Sequence, residues 1–174
     1  MYRPRSVFLA VLFALLAVGA SAQNSTPAAS VKSFYTFDRS HSQVFNRRNI
    51  DARKQWLSAS LYKLFLKELK RERVYLEQNP TDKPHFGDGL PFQPSDERCQ
   101  ARGKSYRYLY RVSRTTIKKR NAEVWVEFYY PKQCEQHSVE FMLEMVNTNG
   151  KWLINDVVYE DTSHLTVDLQ RRDY

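Results

Sequence analysis

Asp156 is the side chain in this sequence with the most chemistry open to it. Alternation along residues 152–159 groups it with Ile154 and Val158, so it is expected to point toward whatever covers that face of a strand. A carboxylate buried among tyrosines and aliphatic groups is costly unless hydrogen-bonded, and burial favours its protonated form. Tyr106, Tyr108, Tyr110 and His41 are the groups that can partner it and line a shared pocket. An acid of that kind beside tyrosines suits proton transfer next to a carbonyl. The competing reading is architectural: Asp156 sits at a sheet margin, capping backbone or meeting water. His41, on the apolar face of a helix, reads first as a satisfied core histidine rather than a catalyst. His85 and His164 fall in polar stretches. No histidine pairs with a carboxylate at metal-ligand spacing, and neither Gly-x-Ser-x-Gly nor a phosphate-cradling glycine loop occurs. No metal and no cofactor is therefore expected, and no catalytic signature stands out.

The two cysteines, Cys99 and Cys134, have one competing use each way. His137 follows Cys134 at a ligand-like spacing, but two cysteines and one histidine make a poor zinc set. A disulfide is the better reading, closing a loop of about 35 residues for roughly 3–4 kcal/mol. Its compartment is set by the N-terminus. Arg3 and Arg5 precede an apolar run over residues 7–18, followed by Ala20-Ser21-Ala22, a small-x-small cleavage site. Residues 1–22 thus read as a signal peptide; the run is short for a membrane span, and no cysteine follows the cut to carry a lipid. The expected product is periplasmic or secreted, soluble after cleavage near Ala22, where a disulfide persists.

The formal charge of +8 suits an anionic partner as well as plain solubility. Arg114, Lys118, Lys119 and Arg120, joined by Arg111, mark a basic hairpin able to touch an anionic surface weakly. An exported protein rarely meets nucleic acid, so that partner is discounted despite the interleaved tyrosines. A second basic run, Lys63, Lys67, Lys70, Arg71 and Arg73, belongs to a helix whose C-terminal half favours cations, and reads as a solvated face.

These groups must be positioned by a simple series of elements. Residues 23–30 read as a disordered leader and 31–174 as one domain. A helix is expected over residues 31–45, with Phe34, Phe37, His41, Val44 and Phe45 on one face; a second, capped by Asp51, runs to Gln78. Four prolines and two glycines make 79–97 an irregular segment, a lid, a partner contact or a passive connector. Alternating strands then follow at 106–112, 122–130, 139–146 and 152–159, the last pair joined by Asn149-Gly150, and a short helical tail closes the chain. The expected fold is α+β, with N-terminal helices packed on a curved four-stranded antiparallel sheet. Leu109, Trp125, Met142, Leu153, Val157 and Tyr159 fall on the outer face, where they can serve a homodimer or lie scattered.

The ending Asn149-Gly150-Lys151-Trp152-Leu153-Ile154-Asn155-Asp156-Val157-Val158-Tyr159 resembles the closing hairpin of the nuclear-transport-factor-2-like superfamily. Together with the exported leader, the opening Phe/Tyr helix, a Leu-Tyr-x-Leu helix and the Pro-Phe-x-x-x-Asp-Glu stretch at 91–97, it is similar to the bacterial domain of unknown function 3828. That resemblance implies a cone of curved sheet wrapped by helices, with Trp152 and Ile154 in its core. It carries no chemistry by itself. The leading expectation is a non-catalytic exported binding module for a small apolar ligand or an envelope or protein partner. The alternatives are an isomerase- or dehydratase-type enzyme using Asp156, and an inhibitor or immunity-type protein that binds another exported protein.

Overall fold

A computed structural model describes residues 26–94, 98–132, 134 and 137–171. Residues 1–22, expected to be a signal peptide, and residues 95–97 of the Pro-Phe-x-x-x-Asp-Glu stretch lie outside the described residues. Helix α1 spans Pro27–Asp38. Thr26 caps it, accepting from the Ala29 amide at 3.1 Å, and Pro27 fits the first turn because its missing N–H would lack a partner there anyway. Residues 27–30 are therefore helix rather than leader. The helix stops well before Phe45, since the hydroxyl of Ser40 and the ring of His41 both turn back onto the Phe37 carbonyl.

Asn46, not Asp51, caps the next helix, α2, Arg47–Arg53, through the Asn49 amide at 2.9 Å. Asp51 lies inside it, bonded to Arg47 and Tyr62, which hold its carboxyl below the usual range, the tyrosine more than the arginine. A 3-10 turn, Lys54–Trp56, leads to α3, Ala59–Gln78, capped by Ser58. The buried stripe of α3 begins apolar, with Leu61 and Phe65, and ends acidic, with Glu68 and Glu72. A helix that turns two carboxylates inward must find donors for them, and the following segment supplies these.

Two short strands, β1 (Cys99–Ala101) and β2 (Lys104–Tyr106), form a separate hairpin. A Cys99–Cys134 disulfide, with Cα atoms 5.9 Å apart, ties it to the chain after the second long strand. The main sheet is an antiparallel meander in the order β3 (Leu109–Lys118), β4 (Asn121–Tyr129), β5 (Val139–Thr148), β6 (Lys151–Val158). It does not close into a barrel, and α1 packs across it. This is the α+β, helix-on-sheet arrangement expected. Its edges differ. β6 is covered by the start of α3, where the Ser58 amide bonds the Ile154 carbonyl at 2.8 Å, and by a bridge from Val158 to His164. Among the described residues β3 pairs with β4 alone, and it carries a bulge and charged side chains, devices that blunt an open edge.

Two irregularities overturn simple alternation. Register shifts between Val112 and Arg114 on β3, and a bulge at Asn155 sets Met145 opposite Ile154 but Glu144 opposite Asp156. Val157 therefore takes the inward place opposite Leu143 and is wholly buried, while Asp156 turns to the side of Glu144. Tyr159 also leaves the outer face, its ring 5.0 Å from that of Phe141. The core is filled by aromatics. Phe92, from the irregular segment, is fully buried with its centroid 5.0 Å from Phe34 and 5.5 Å from Phe65. That segment is thus anchored by a core plug, which contributes about 2–3 kcal/mol through burial.

Candidate functional site

A cleft of about 520 Å³ opens beside the plugged core, between the loop after α1, residues 85–94 and the stretch entering β3. Its floor is built on a buried ion pair. Asp38 ends the stripe begun by Val31, Phe34 and Tyr35, and no part of its side chain or that of Arg53 is exposed. Arg53 Nε donates to Asp38 Oδ1 at 2.5 Å, and its other nitrogens reach the carbonyls of Asn49 and Ser42. The second carboxylate oxygen accepts from the Gln93 amide, whose own oxygen accepts from the Tyr108 hydroxyl. Every charge is matched, as burial requires.

The walls carry the exposed chemistry. Arg39 donates to the Tyr108 carbonyl at 2.8 Å, with its guanidinium carbon 5.9 Å from the centre of the Tyr108 ring. His41 stacks on Phe37 at 3.7 Å and bonds the Phe37 carbonyl through Nδ1 at 2.7 Å, which places the proton of the neutral ring there and the lone pair on Nε2. Arg107 is exposed and lines the same cleft. Asp88 also lines it but is paired with Lys83. Gln43 gives both amide hydrogens to the carbonyls of Asp38 and His41, leaving its buried Oε1 with no partner among the described residues.

A strap over residues 84–90 forms one rim. Two turns shape it, with Gly87 bonding the Pro84 carbonyl and Gly89 that of Phe86. Gly89 has φ of 127°, and a Cβ there would stand 2.8 Å from the Gln43 carbonyl oxygen, so no larger residue fits. The Leu90 amide fastens the strap to Gln43 at 2.7 Å. The buried acids of α3 fasten its other side: the Phe86 amide donates to Glu72 at 2.7 Å, and His85 meets Glu68 at 3.2 Å. Burial raises the Glu72 carboxyl above its ordinary range, and neighbouring Glu68 adds to this. Tyr159 closes the back of the cleft, its hydroxyl donating to the Pro91 carbonyl and pushed up by burial.

Of the residues the sequence offered for a pocket, the structure brings His41 and Tyr108 together. Tyr106 lies on β2 opposite Cys99, because the chain leaves that hairpin before entering β3. Tyr110 points along α1, donating to the Lys32 carbonyl at 3.2 Å. Asp156 is absent from the cleft lining and is fully used at the sheet edge. One oxygen accepts from the amides of Val157 and Thr166, the other from the Thr166 hydroxyl and His164 Nδ1, all at 2.8–2.9 Å. It holds helix α4, Leu165–Asp168, against β6. This is the margin-capping role.

The cysteines form the disulfide, so Cys134 is withdrawn from any metal. In the basic hairpin, Arg114 lies 3.8 Å over the Trp125 ring and Lys118 pairs with Glu123 at 3.3 Å, whereas Lys119 and Arg120 make the turn itself. Among the described residues no helix is long and apolar enough to cross a membrane. Sequence reasoning missed Arg39, Asp38, Gln43, Arg53 and Gln93. The available signal was Asp38 at a core position of the first helical stripe, a placement that demands a buried partner. Comparison with family models, curated proteins and solved structures gives no match.

Proposed function

We propose that this chain is an exported, non-catalytic binding module that takes a small acidic ligand, a carboxylate or phosphate compound, in the cleft between the loop after α1 and the strap. The observation that carries this reading is the composition of the walls. Arg39 and Arg107 line a space of about 520 Å³, a volume typical of small-molecule sites, and among the described residues the one wall carboxylate, Asp88, is already paired. An apolar ligand inside the cone is not favoured, because Phe92, Tyr35 and Phe34 fill that space. An enzyme built on Asp156 is not favoured either, since four hydrogen bonds occupy it away from the cleft. The disulfide agrees with an oxidising compartment and with the leader read in the sequence. The α+β architecture agrees with the resemblance to the nuclear-transport-factor-2-like superfamily and the domain of unknown function 3828 family, a kinship that stays part of the proposal.

Native mass spectrometry on protein purified without denaturant tests the reading. A bound small anion is expected, lost in Arg107→Glu, whose ligand-free unfolding midpoint should match that of the ligand-free wild type because Arg107 is exposed. Added ligand at a hundred times its Kd should stabilise the fold by about 2.7 kcal/mol. A bare mass, with no midpoint shift across a panel of carboxylates and phosphomonoesters, overturns it.

A further inference from the structure

The meander places two tight turns side by side at one end of the sheet. Lys118 pairs with Asn121 across the β3–β4 turn, and Thr148 with Lys151 across the β5–β6 turn. The Asn147 amide bonds the Arg120 carbonyl at 2.7 Å, so the two turns are fastened together. Lys119, Asn149 and Gly150 take positive φ, which keeps both turns short. Lys118, Lys119, Arg120 and Lys151 are therefore carried on one rigid end, all exposed, with Glu123 as the acid that pairs among them. Beside them Ile117, on the inner face opposite Ala122, is 56% exposed. Arg114 does not belong to this group, because it is spent on Trp125.

We propose that this double-turn end docks on the surface of a bilayer bearing anionic headgroups, with Ile117 entering the interface and the cations meeting lipid phosphates. Cations around one exposed aliphatic side chain are the pattern of an interfacial contact. A soluble polyanion would use the charges and leave Ile117 in water. The turns are already ordered, so little entropy is lost on docking. The site is separate from the cleft and does not depend on what the cleft binds.

The test is co-sedimentation with phosphatidylglycerol/phosphatidylcholine vesicles and with phosphatidylcholine alone. Residues 7–18 are themselves apolar, so the reading is the ratio between chains sharing one N-terminus. Each of Lys119→Glu, Arg120→Glu and Lys151→Glu should weaken binding to the anionic vesicles about fivefold or more, an effect that fades at high salt. Ile117→Ser should weaken it about tenfold. Lys119→Asn, Arg120→Gln and Lys151→Gln repeat the test with milder changes should the reversals disturb folding. In Ile117→Trp the emission should shift to the blue with anionic vesicles. Equal binding to neutral vesicles, undiminished binding in all three charge reversals, or retained binding to a soluble polyanion with no shift in Ile117→Trp each overturns the proposal.

Discussion

Asp38 and Asp156 are both buried carboxylates with both oxygens bonded, yet they organise the molecule at different ranges. The partners of Asp156 lie one, eight and ten residues away, all in the chain that follows it. It folds a C-terminal clasp onto the edge of β6. Asp38 reaches Arg53, fifteen residues on, and Gln93, fifty-five residues on, and so joins two helices to the irregular segment. One acid finishes an edge; the other assembles a wall. The second kind of bond is the one found beside the cleft, because a cleft is made where distant segments meet.

The comparison breaks most visibly at Arg53. Arg53→Met leaves Asp38 buried without its cation and should cost about 3–5 kcal/mol in urea unfolding. Adding Asp38→Leu should recover much of that loss, since a well-packed apolar pair often replaces a buried ion pair at little cost. A single variant losing less than about 1 kcal/mol would show that the pair is not desolvated. The double variant should also lose the cleft ligand, because Gln93 then has no Asp38 oxygen to hold its amide and is free to turn. Asp156→Asn should cost less, about 1–3 kcal/mol, since the new amide faces donors where the acid accepted. Ligand retention in the cleft should be unchanged, and a loss there would restore Asp156 to the site. His164→Ala removes one of the four bonds and should cost about 0.5–1.5 kcal/mol, read as faster exchange of the Thr166 amide.

The helix-on-sheet layout was legible because period carries it: the strands alternate, Asn149-Gly150 marks its hairpin, and the cysteines form a disulfide. What alternation could not carry was each insertion of one residue. The bulge at Asn155 reverses Asp156, Val157 and Val158, and with them the pocket built on Asp156. The break between Tyr106 and Leu109 likewise scattered the tyrosine row. Cap choice was ambiguous for a similar reason. Asn46, Asp51 and Ser58 are all competent caps, and tertiary partners decided, with Arg47 and Tyr62 claiming Asp51. His41 and Tyr108 were found in the cleft, whereas Asp38–Arg53 and Gln93 depend on contacts at separations no local pattern encodes.

Glu72 sharpens the comparison from the other side, as a buried acid whose oxygen at the strap meets the Phe86 amide rather than a cation. Its carboxyl is raised from an ordinary value near 4.5, through burial first, with Glu68 in the same direction and the Phe86 amide, His85 and Arg71 opposing. A raised acid favours the protonated form in the folded state. Folding therefore loses stability as pH climbs from the unfolded value through the raised folded one, and below both values the group contributes no slope. Glu72→Gln keeps an acceptor for Phe86 and removes the cost of ionisation. The variant should be more stable than the wild type at pH 7, by of order 0.5 kcal/mol, with the gap closing toward pH 4. Urea midpoints across that range check it, and hydrogen exchange at the Phe86 amide reports the strap directly. Parallel curves for the two chains would mean that Glu72 stays hydrated, and that the strap is held by Leu90 on Gln43 and by the stacking of Phe86 on Phe45 at 4.8 Å.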